Sequence, residues 1–345
     1  MDLTAKVDFD RFEAAVQVVD VHAAGEPCRV AVSGFPEPQG ATMIEKRRWM
    51  EERCDDLRRA LMLEPRGHHD MFGAFLCEPA DPEAQVGVVF MDTGGYLNMC
   101  GHGTMAVAAA VLETGIVAAR DGDNEVVLEA PAGLVRTAAR VRDGKVESVS
   151  FENVPSFVFC DEATVDVDGR AVSLAIAFGG SFFALVDAAP LGLGEIGPAT
   201  ASAYARFGSR VREAVNRSIR VEHPTLDIDT VDLVEFYGPA PDPAVAALRH
   251  VVVFGAGQVD RSPCGTGLSA KLAALYRRGA IGRGEPVVCE SFMGTRFTGV
   301  VERETTVGGV PAVVPRITGS AFLTGVGTCL VDAADPLGHG FLLER

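Results

Sequence analysis

Two stretches of this chain set a cysteine among glycines in the same way: Asn98-Met99-Cys100-Gly101-His102-Gly103-Thr104 and Ser262-Pro263-Cys264-Gly265-Thr266-Gly267. A cysteine at the start of a helix faces unpaired backbone N–H groups and about half a positive charge. That setting favours thiolate and can bring a thiol pKa down to about 3.5–7.5. The same N–H groups, opened by flanking glycines, bind a carboxylate without a side-chain cation. Each turn can therefore hold an anion with a sulfur beside it. Two such turns face to face would share one carboxylate, and the carbon attached to it would lie between the sulfurs. One sulfur, as thiolate, removes that carbon's proton, and the other, as thiol, delivers one to the opposite face. Two thiolates would repel and leave no acid, so the pair must work with one proton shared between them. That is two-base racemisation.

The elements that must position these cysteines repeat as well. Shifted by the 164 positions that separate Cys100 from Cys264, Val88-Val89-Phe90 falls on Val252-Val253-Phe254. Gly101, Gly103, Ala106, Ala109, Ala110 and Gly115 fall on Gly265, Gly267, Ala270, Ala273, Ala274 and Gly279. Each copy reads as an apolar strand, a loop, a Cys-Gly-x-Gly turn and an Ala-rich helix stopped by glycine. The period is far too long for a solenoid, so two related half-molecules, each offering one cysteine, are expected.

Around these copies the pattern predicts further elements. Residues 1–16 read as a loosely attached leader. Val16 to His22 alternates as a strand, Ala23-Ala24-Gly25-Glu26-Pro27 turns, and Cys28 to Val32 resumes a strand. Met43 to Leu63 carries helical periodicity, followed by the polar stretch Glu64 to Asp70. There the pair His68-His69 beside Asp70 raises metal binding. A polar loop at a domain face is favoured, because no i, i+4 histidine pair is present. Val126 to Gly133 and Val146 to Phe151 read as hairpin strands, with the first half closing near Pro155. Short strands follow up to Ile176. In Phe178-Gly179-Gly180-Ser181-Phe182-Phe183, glycines next to paired phenylalanines suggest close backbone approach beside an aromatic wall, or else a buried strand junction. Thr200 is a candidate N-cap for a helix to Ile219 with Val211, Ala214 and Val215 on its apolar stripe. Val231 to Tyr237 alternates as a strand, and strands run from Val287 to Val301. The tail Phe322 to Val331 reads as a strand able to return to the first half.

Composition sets the frame. The 345 residues suit two domains of roughly 150 residues each. With 48% hydrophobic and 23% charged residues, the chain has ordinary globular composition, and a net charge of −16 argues against nucleic acid or an anionic membrane as partner. The amino terminus has no basic-then-apolar signal pattern and no apolar run is long enough to span a bilayer, so a cytoplasmic protein is expected. None of the eight cysteines forms a Cys-x-x-Cys pair, which argues against a zinc ribbon or thioredoxin-type site. Six of them read as small buried apolar residues.

Other chemistries compete for the same residues. A cysteine hydrolase would need a base and an oxyanion hole around one nucleophile, with His102 and Asp260 as candidates, but it leaves the second cysteine unemployed. A zinc site from Cys100, His102 and Cys264 fits in ligand type, although Cys-x-His in a glycine turn is a weak signal. Pyridoxal phosphate would need a Schiff-base lysine, and none of Lys6, Lys46, Lys145 and Lys271 has a phosphate-loop setting. Catalysis without a cofactor is favoured. A non-catalytic amino-acid-binding protein is a further alternative.

The two cysteine stretches, extended to Asp260-Arg261-Ser262-Pro263-Cys264, resemble the two signatures of the proline racemase family. Asp20 to Glu26, Leu63 to His68, Gly179 to Ala184 and Val231 to Glu235 extend the likeness through nearly the whole chain. The resemblance implies an α/β (α+β), diaminopimelate-epimerase-like fold: two pseudo-symmetric halves, each a barrel-like sheet around a central helix, with the active site between them. The first half is expected to span 1–157, closed by a return of 323–345, and the second 158–322. Also implied are no cofactor, no metal, a small-molecule substrate and a homodimer. Carried over by position, Cys100 and Cys264 would be the acid/base pair. The amides of Gly101, His102, Gly265 and Thr266 would receive the carboxylate, and the side chains of His102 and Asp260 would face the ring nitrogen. Within the family, trans-3-hydroxyproline dehydratases carry threonine or serine in place of the second cysteine, and Cys264 speaks against that activity. Proline racemase and 4-hydroxyproline 2-epimerase both keep two cysteines. Proline is favoured here, because Phe182-Phe183 and Asp70-Met71-Phe72 suggest an apolar wall with no partner for a ring hydroxyl. Leaving such a hydroxyl unpaired would cost about 1–3 kcal/mol.

Overall fold

The computed structural model describes residues 6–343, so the first five residues of the expected leader lie outside it. Of the rest of that leader, Phe9–Arg11 is a 3-10 turn, and Ala14 already opens the first strand, with Val16 fully buried. Strands β1 (Ala14–Ala23) and β2 (Glu26–Ser33) form a hairpin whose two turn residues, Ala24 and Gly25, both have positive φ (49° and 101°). That turn type matches the right-handed twist of the strands, and it sets Glu26 at the mouth of β2. The long predicted helix is two: α1 (Met43–Arg53) and α2 (Asp55–Met62), broken at Cys54. A capping box of Thr42 and Glu45 starts α1. The break re-aims α2 so that Leu61 and Met62 meet Phe75 and Met91 in a small core of their own.

Next come β3 (Phe72–Cys77), β4 (Val86–Asp92), β5 (Tyr96–Leu97), α3 (Gly101–Glu113), β6 (Gly122–Ala130), β7 (Gly133–Arg142) and β8 (Lys145–Glu152). Sequence reading merged β6 with the turn after it and missed β7. Its alternation (Val135, Thr137, Ala139 and Val141 inward) is masked by arginines and small residues on the outer face. After a short link follow β9 (Phe157–Val167), β10 (Arg170–Phe178), β11 (Phe182–Asp187), α4 (Ala201–Ser218), β12 (Val231–Pro239), β13 (Leu248–Phe254) and β14 (Gln258–Asp260). The chain ends with α5 (Gly265–Arg277), β15 (Val287–Ser291), β16 (Arg296–Val307), β17 (Val310–Gly319) and β18 (Ala321–Val331). The strands predicted as short before Ile176 are the long pair β9 and β10. Thr200 does stand at the N-cap of α4, but its hydroxyl donates back to the Glu195 and Gly197 carbonyls instead of capping the helix.

Strand pairing repeats the internal symmetry. β2–β3, β3–β4, β4–β6, β6–β7 and β7–β8 pair as parallel, antiparallel, parallel, antiparallel and antiparallel. The series β11–β12, β12–β13, β13–β15, β15–β16 and β16–β17 runs identically. β18 pairs antiparallel with β1, as β9 does with β10. The two series join where β8 pairs with β17.

Helix α3 is apolar on every face, so it can be stable only when surrounded; Gly101 through Leu112 are all buried, packed against β1, β2, β7, β8 and β18. Alanines at 106, 108, 109 and 110 let the strands come close, while Val107, Val111 and Leu112 fill the remaining space, each worth about 1.5–3 kcal/mol of burial. Helix α5 takes the same place among β9, β10, β16 and β17. Both helices stop at a left-handed glycine, Gly115 (φ 77°) and Gly279 (φ 67°).

Candidate active site

The matched strands β4 and β13 each run into a short returning strand, β5 or β14, and the loop after it delivers a cysteine to a helix start. Cys100 is the N-cap residue of α3 and Cys264 that of α5. The two helix starts meet. A β-carbon placed on Gly101 would lie 3.5 Å from the Gly265 Cα, and one on Gly265 would lie 3.6 Å from the Gly101 Cα. Beneath both, Phe151 Cζ stands 3.2 Å from either position. The structure thus brings the two cysteine turns, with Gly101, His102, Gly265 and Thr266, to one junction. By their place in the first turn, the amides of these four residues have no intrahelical acceptor.

The sulfurs have different neighbours. Cys100 Sγ lies 3.5 Å from His102 Nδ1. Cys264 Sγ accepts from the Gly267 amide at 3.4 Å and lies 3.5 Å from Thr266 Oγ1. Cys264 also has φ of +51°, a left-handed backbone unusual for a residue with a side chain, whereas Cys100 is extended at φ −146°. Its own amide donates to Ser262 Oγ at 3.0 Å, and the Ser262 amide donates to Asp260 Oδ1 at 2.8 Å.

Burial overturns the thiolate expected from helix starts alone. Both sulfurs are enclosed, and loss of water pushes each thiol well above its ordinary range. For Cys100 the neighbours Cys28, Asp260 and Glu26 push the same way, opposed by the Gly103 amide. For Cys264, Asp260 and Glu235 push up, opposed by Thr266 and the Gly267 amide. A few amide dipoles do not offset complete desolvation among carboxylates. His102 is held below its usual range by burial, partly countered by Asp260, which makes it neutral at pH 7. Its ring stands edge-on to Phe72, with centroids 4.6 Å apart.

The aromatic wall matches the expected one at Phe72 and differs at the Phe182-Phe183 pair. Adjacent residues on a strand face opposite ways, so Phe182 and Phe183 cannot line one surface together. Phe182 lies in the core with Phe157, Phe178 and His223. Phe183 lies on the other face of β11, in the cluster that holds Cys264, and would touch a β-carbon on Gly267 at 3.2 Å. The wall beside His102 is the expected Phe72, joined by Phe254, their centroids 5.5 Å apart. The expected close approach at Gly179 is present: a β-carbon there would stand 2.2 Å from the Thr266 carbonyl oxygen. Asn153 Nδ2 holds that turn by donating to the Gly179 carbonyl at 2.7 Å.

Several site residues had no assigned role from sequence. Glu26, fully buried, accepts from the Arg261 amide at 2.5 Å through Oε2, while its Oε1 has no hydrogen-bond partner. Burial first, then Asp260, raises its pKa well above the ordinary value. Arg261 pairs with Asp70 at 2.8 Å, and Asp70 also contacts His69 Nδ1 at 3.0 Å. Burial pushes the Asp70 carboxyl up, but these two partners outweigh it and hold it low. The His68-His69-Asp70 stretch is thus a loop bound to the Cys264 arm. Gln258 adds to the join by donating to the His69 carbonyl and to Thr93 Oγ1, each at 3.1 Å. Glu26 and Arg261 sit beside turns legible in the sequence, yet only the fold shows that they meet.

A neutral imidazole, buried carboxyls, two thiols and two sets of helix-start amides meet at one junction, an arrangement able to hold a small anion beside two thiols. Comparison with known proteins agrees in kind. The family model described as Proline racemase matches residues 18–342. A proline racemase of Clostridioides difficile is 49% identical over 336 residues, covering 97% of this chain and 100% of that protein. A trans-3-hydroxy-L-proline dehydratase of Bacillus thuringiensis is 41% identical over 94% of this chain and 97% of its own length. The crystal structure of a hydroxyproline epimerase from Agrobacterium vitis, with bound trans-4-hydroxy-L-proline, superposes with a TM-score of 0.88 at 36% identity, covering 96% of each chain.

Proposed function

Because the chain belongs to the proline racemase family and is an isomerase of the racemase and epimerase type, we propose that it inverts the α-carbon of proline with Cys100 and Cys264 as the two acid/base groups. The observation that carries this reading is the meeting of two matched helix starts at Gly101 and Gly265, each preceded by a buried cysteine. The substrate carboxylate takes the amides of Gly101, His102, Gly265 and Thr266, and the ring nitrogen faces His102 and Asp260. One sulfur, as thiolate, takes the Cα proton. The electron pair of that C–H bond moves into the carboxylate, where the amides stabilise the added charge. The other thiol then gives its proton to the opposite face of Cα, and the pair ends with thiol and thiolate exchanged. No other group needs to change oxidation state or bonding.

Because burial holds both thiols up, one must be deprotonated for turnover. A substrate ammonium beside Asp260 adds positive charge where carboxyl groups push both thiols up, and so favours the thiolate. The reading carries with it a cytoplasmic homodimer and two halves, 1–157 with 323–345 and 158–322. Among the described residues no helix is long and apolar enough to cross a membrane.

A second reading, 4-hydroxyproline 2-epimerase, rests on Glu26, whose buried Oε1 has no partner and can receive or donate a hydrogen bond to a ring hydroxyl. Chiral analysis after incubation with L-proline, trans-4-hydroxy-L-proline and trans-3-hydroxy-L-proline tests the assignment. Inversion of proline with the highest kcat/KM supports it. Faster epimerisation of the 4-hydroxy compound transfers it to the second reading, and loss of water from the 3-hydroxy compound without inversion of any substrate contradicts both.

A further inference from the structure

Behind Cys264 lies a polar arrangement for which the first half has no counterpart. His250 on β13 corresponds to Val86 on β4, and Lys271 on α5 corresponds to Val107 on α3, each pair 164 positions apart. His250 and Glu235 are both fully buried, with His250 Nδ1 3.1 Å from Glu235 Oε1, close but out of hydrogen-bond alignment. The other ring nitrogen, Nε2, donates to the carbonyl of Pro263, the residue just before Cys264. Glu235 reaches the far side of the same turn: its Oε2 lies 2.8 Å from where a β-carbon on Gly267 would stand, and the Gly267 amide is the one that donates to Cys264 Sγ. The pair therefore touches the Cys264 turn before and after the cysteine. That turn needs holding, since Cys264 occupies a left-handed backbone at φ +51° while Cys100 is extended.

We propose that the buried His250–Glu235 pair is a positioning device that holds the strained turn of Cys264, a support the turn of Cys100 does without. The proposal rests on Cys264 being one of the two acid/base groups. Burial opposes a charge on the ring, but Cys289 and Glu235 outweigh it and hold its pKa well above the ordinary range. The groups acting on His250 are Glu235 from β12 and Cys289 from β15, both of which also act on Lys271 of α5. Those acting on Cys264 are Asp260, Thr266, the Gly267 amide and Glu235. Without the His250 ring the Pro263 carbonyl loses its donor and Glu235 keeps only Lys271 as a counter-charge, so the Cys264 thiol becomes harder to ionise.

His250→Val and His250→Gln in the full chain test this. Valine is the first-half residue, and glutamine can still donate to the Pro263 carbonyl. For each, iodoacetamide labelling of Cys100 and Cys264 is followed against pH by peptide mass spectrometry, alongside kcat and KM. In H250V the Cys264 profile moves to higher pH, the Cys100 profile stays, and kcat falls by up to about 100-fold with KM little changed. H250Q recovers most of kcat. Folded H250V with wild-type kcat and an unmoved Cys264 profile overturns the proposal, as does an equal shift at both cysteines. If H250V does not fold, H250Q decides alone: a shift confined to Cys264 supports the proposal and no shift overturns it. Should the wild-type chain invert no substrate offered, the functional reading fails, while the labelling profiles still judge the role of His250.

Discussion

Gly101 and Gly265 stand against each other, the β-carbon position of the first 3.5 Å from the Cα of the second. No side chain separates the two helix starts, so under the proposed function the substrate carboxylate would meet amides from both helices. If both sulfurs move protons, losing either should be equally damaging. Cys100→Ser and Cys264→Ser are each expected to lower kcat by about 100- to 10,000-fold with the fold retained by circular dichroism. A Cys264→Ser enzyme with near wild-type turnover would contradict the pairing.

Activity should rise with pH. Burial holds both thiols well above their ordinary range, so the thiolate fraction of the free protein grows as pH climbs through neutrality. The expected kcat/KM for proline increases steadily from about pH 6 to pH 8. A plateau already reached at pH 6 would mean a thiolate at rest.

Glu26 makes a separate stability prediction. Its folded pKa is raised above the ordinary 4.5, so the folded chain binds more protons than the unfolded one once pH exceeds that value. Its contribution is full below about pH 4.5 and is lost as pH rises toward the folded pKa. Glu26→Gln mimics the protonated form and should stabilise the protein against urea by a margin that is absent near pH 4 and widens toward pH 7. A variant less stable than wild type at pH 7 contradicts the raised pKa of Glu26.

The Asp70–Arg261 pair binds the loop before β3 to the Cys264 arm. Asp70 is buried, so Asp70→Asn removes the charge of a hydrogen bond to a partly exposed guanidinium. A cost of about 1–3 kcal/mol in urea unfolding is expected, together with a higher KM because the arm carrying Asp260 loosens. In a double-mutant cycle with Arg261→Met, the pair should couple; additive effects would show that the contact does not matter in solution.

How much of this was legible beforehand depends on range. The cysteine turns, their helices and the strands before them could be read because glycine, alanine and valine recur at one offset, and local pattern fixes local structure. β7 was not, because its outer face alternates arginine with small residues. The break at Cys54 was not, because it follows from where Phe75 and Met91 pack and not from any helix breaker. At the site, Cys100 and Cys264 were read from their own surroundings, while His102 and Asp260 took their roles from the family resemblance. Phe72 was read as part of the apolar wall, but Glu26 meeting Arg261 and His250 reaching Pro263 join segments far apart in the chain, and nothing local encodes them. The thiol pKa direction was misjudged for the same reason: the helix start is visible in sequence, but the complete burial that outweighs it is a property of the fold.

The most direct test incubates the protein with L-proline in D2O and follows Cα by NMR together with chiral chromatography. Removal of the proton by one sulfur and delivery from the other predicts D-proline carrying deuterium at Cα from the earliest time points. D-Proline that keeps its original α-proton, or no exchange and no inversion at all in folded protein, would contradict the account.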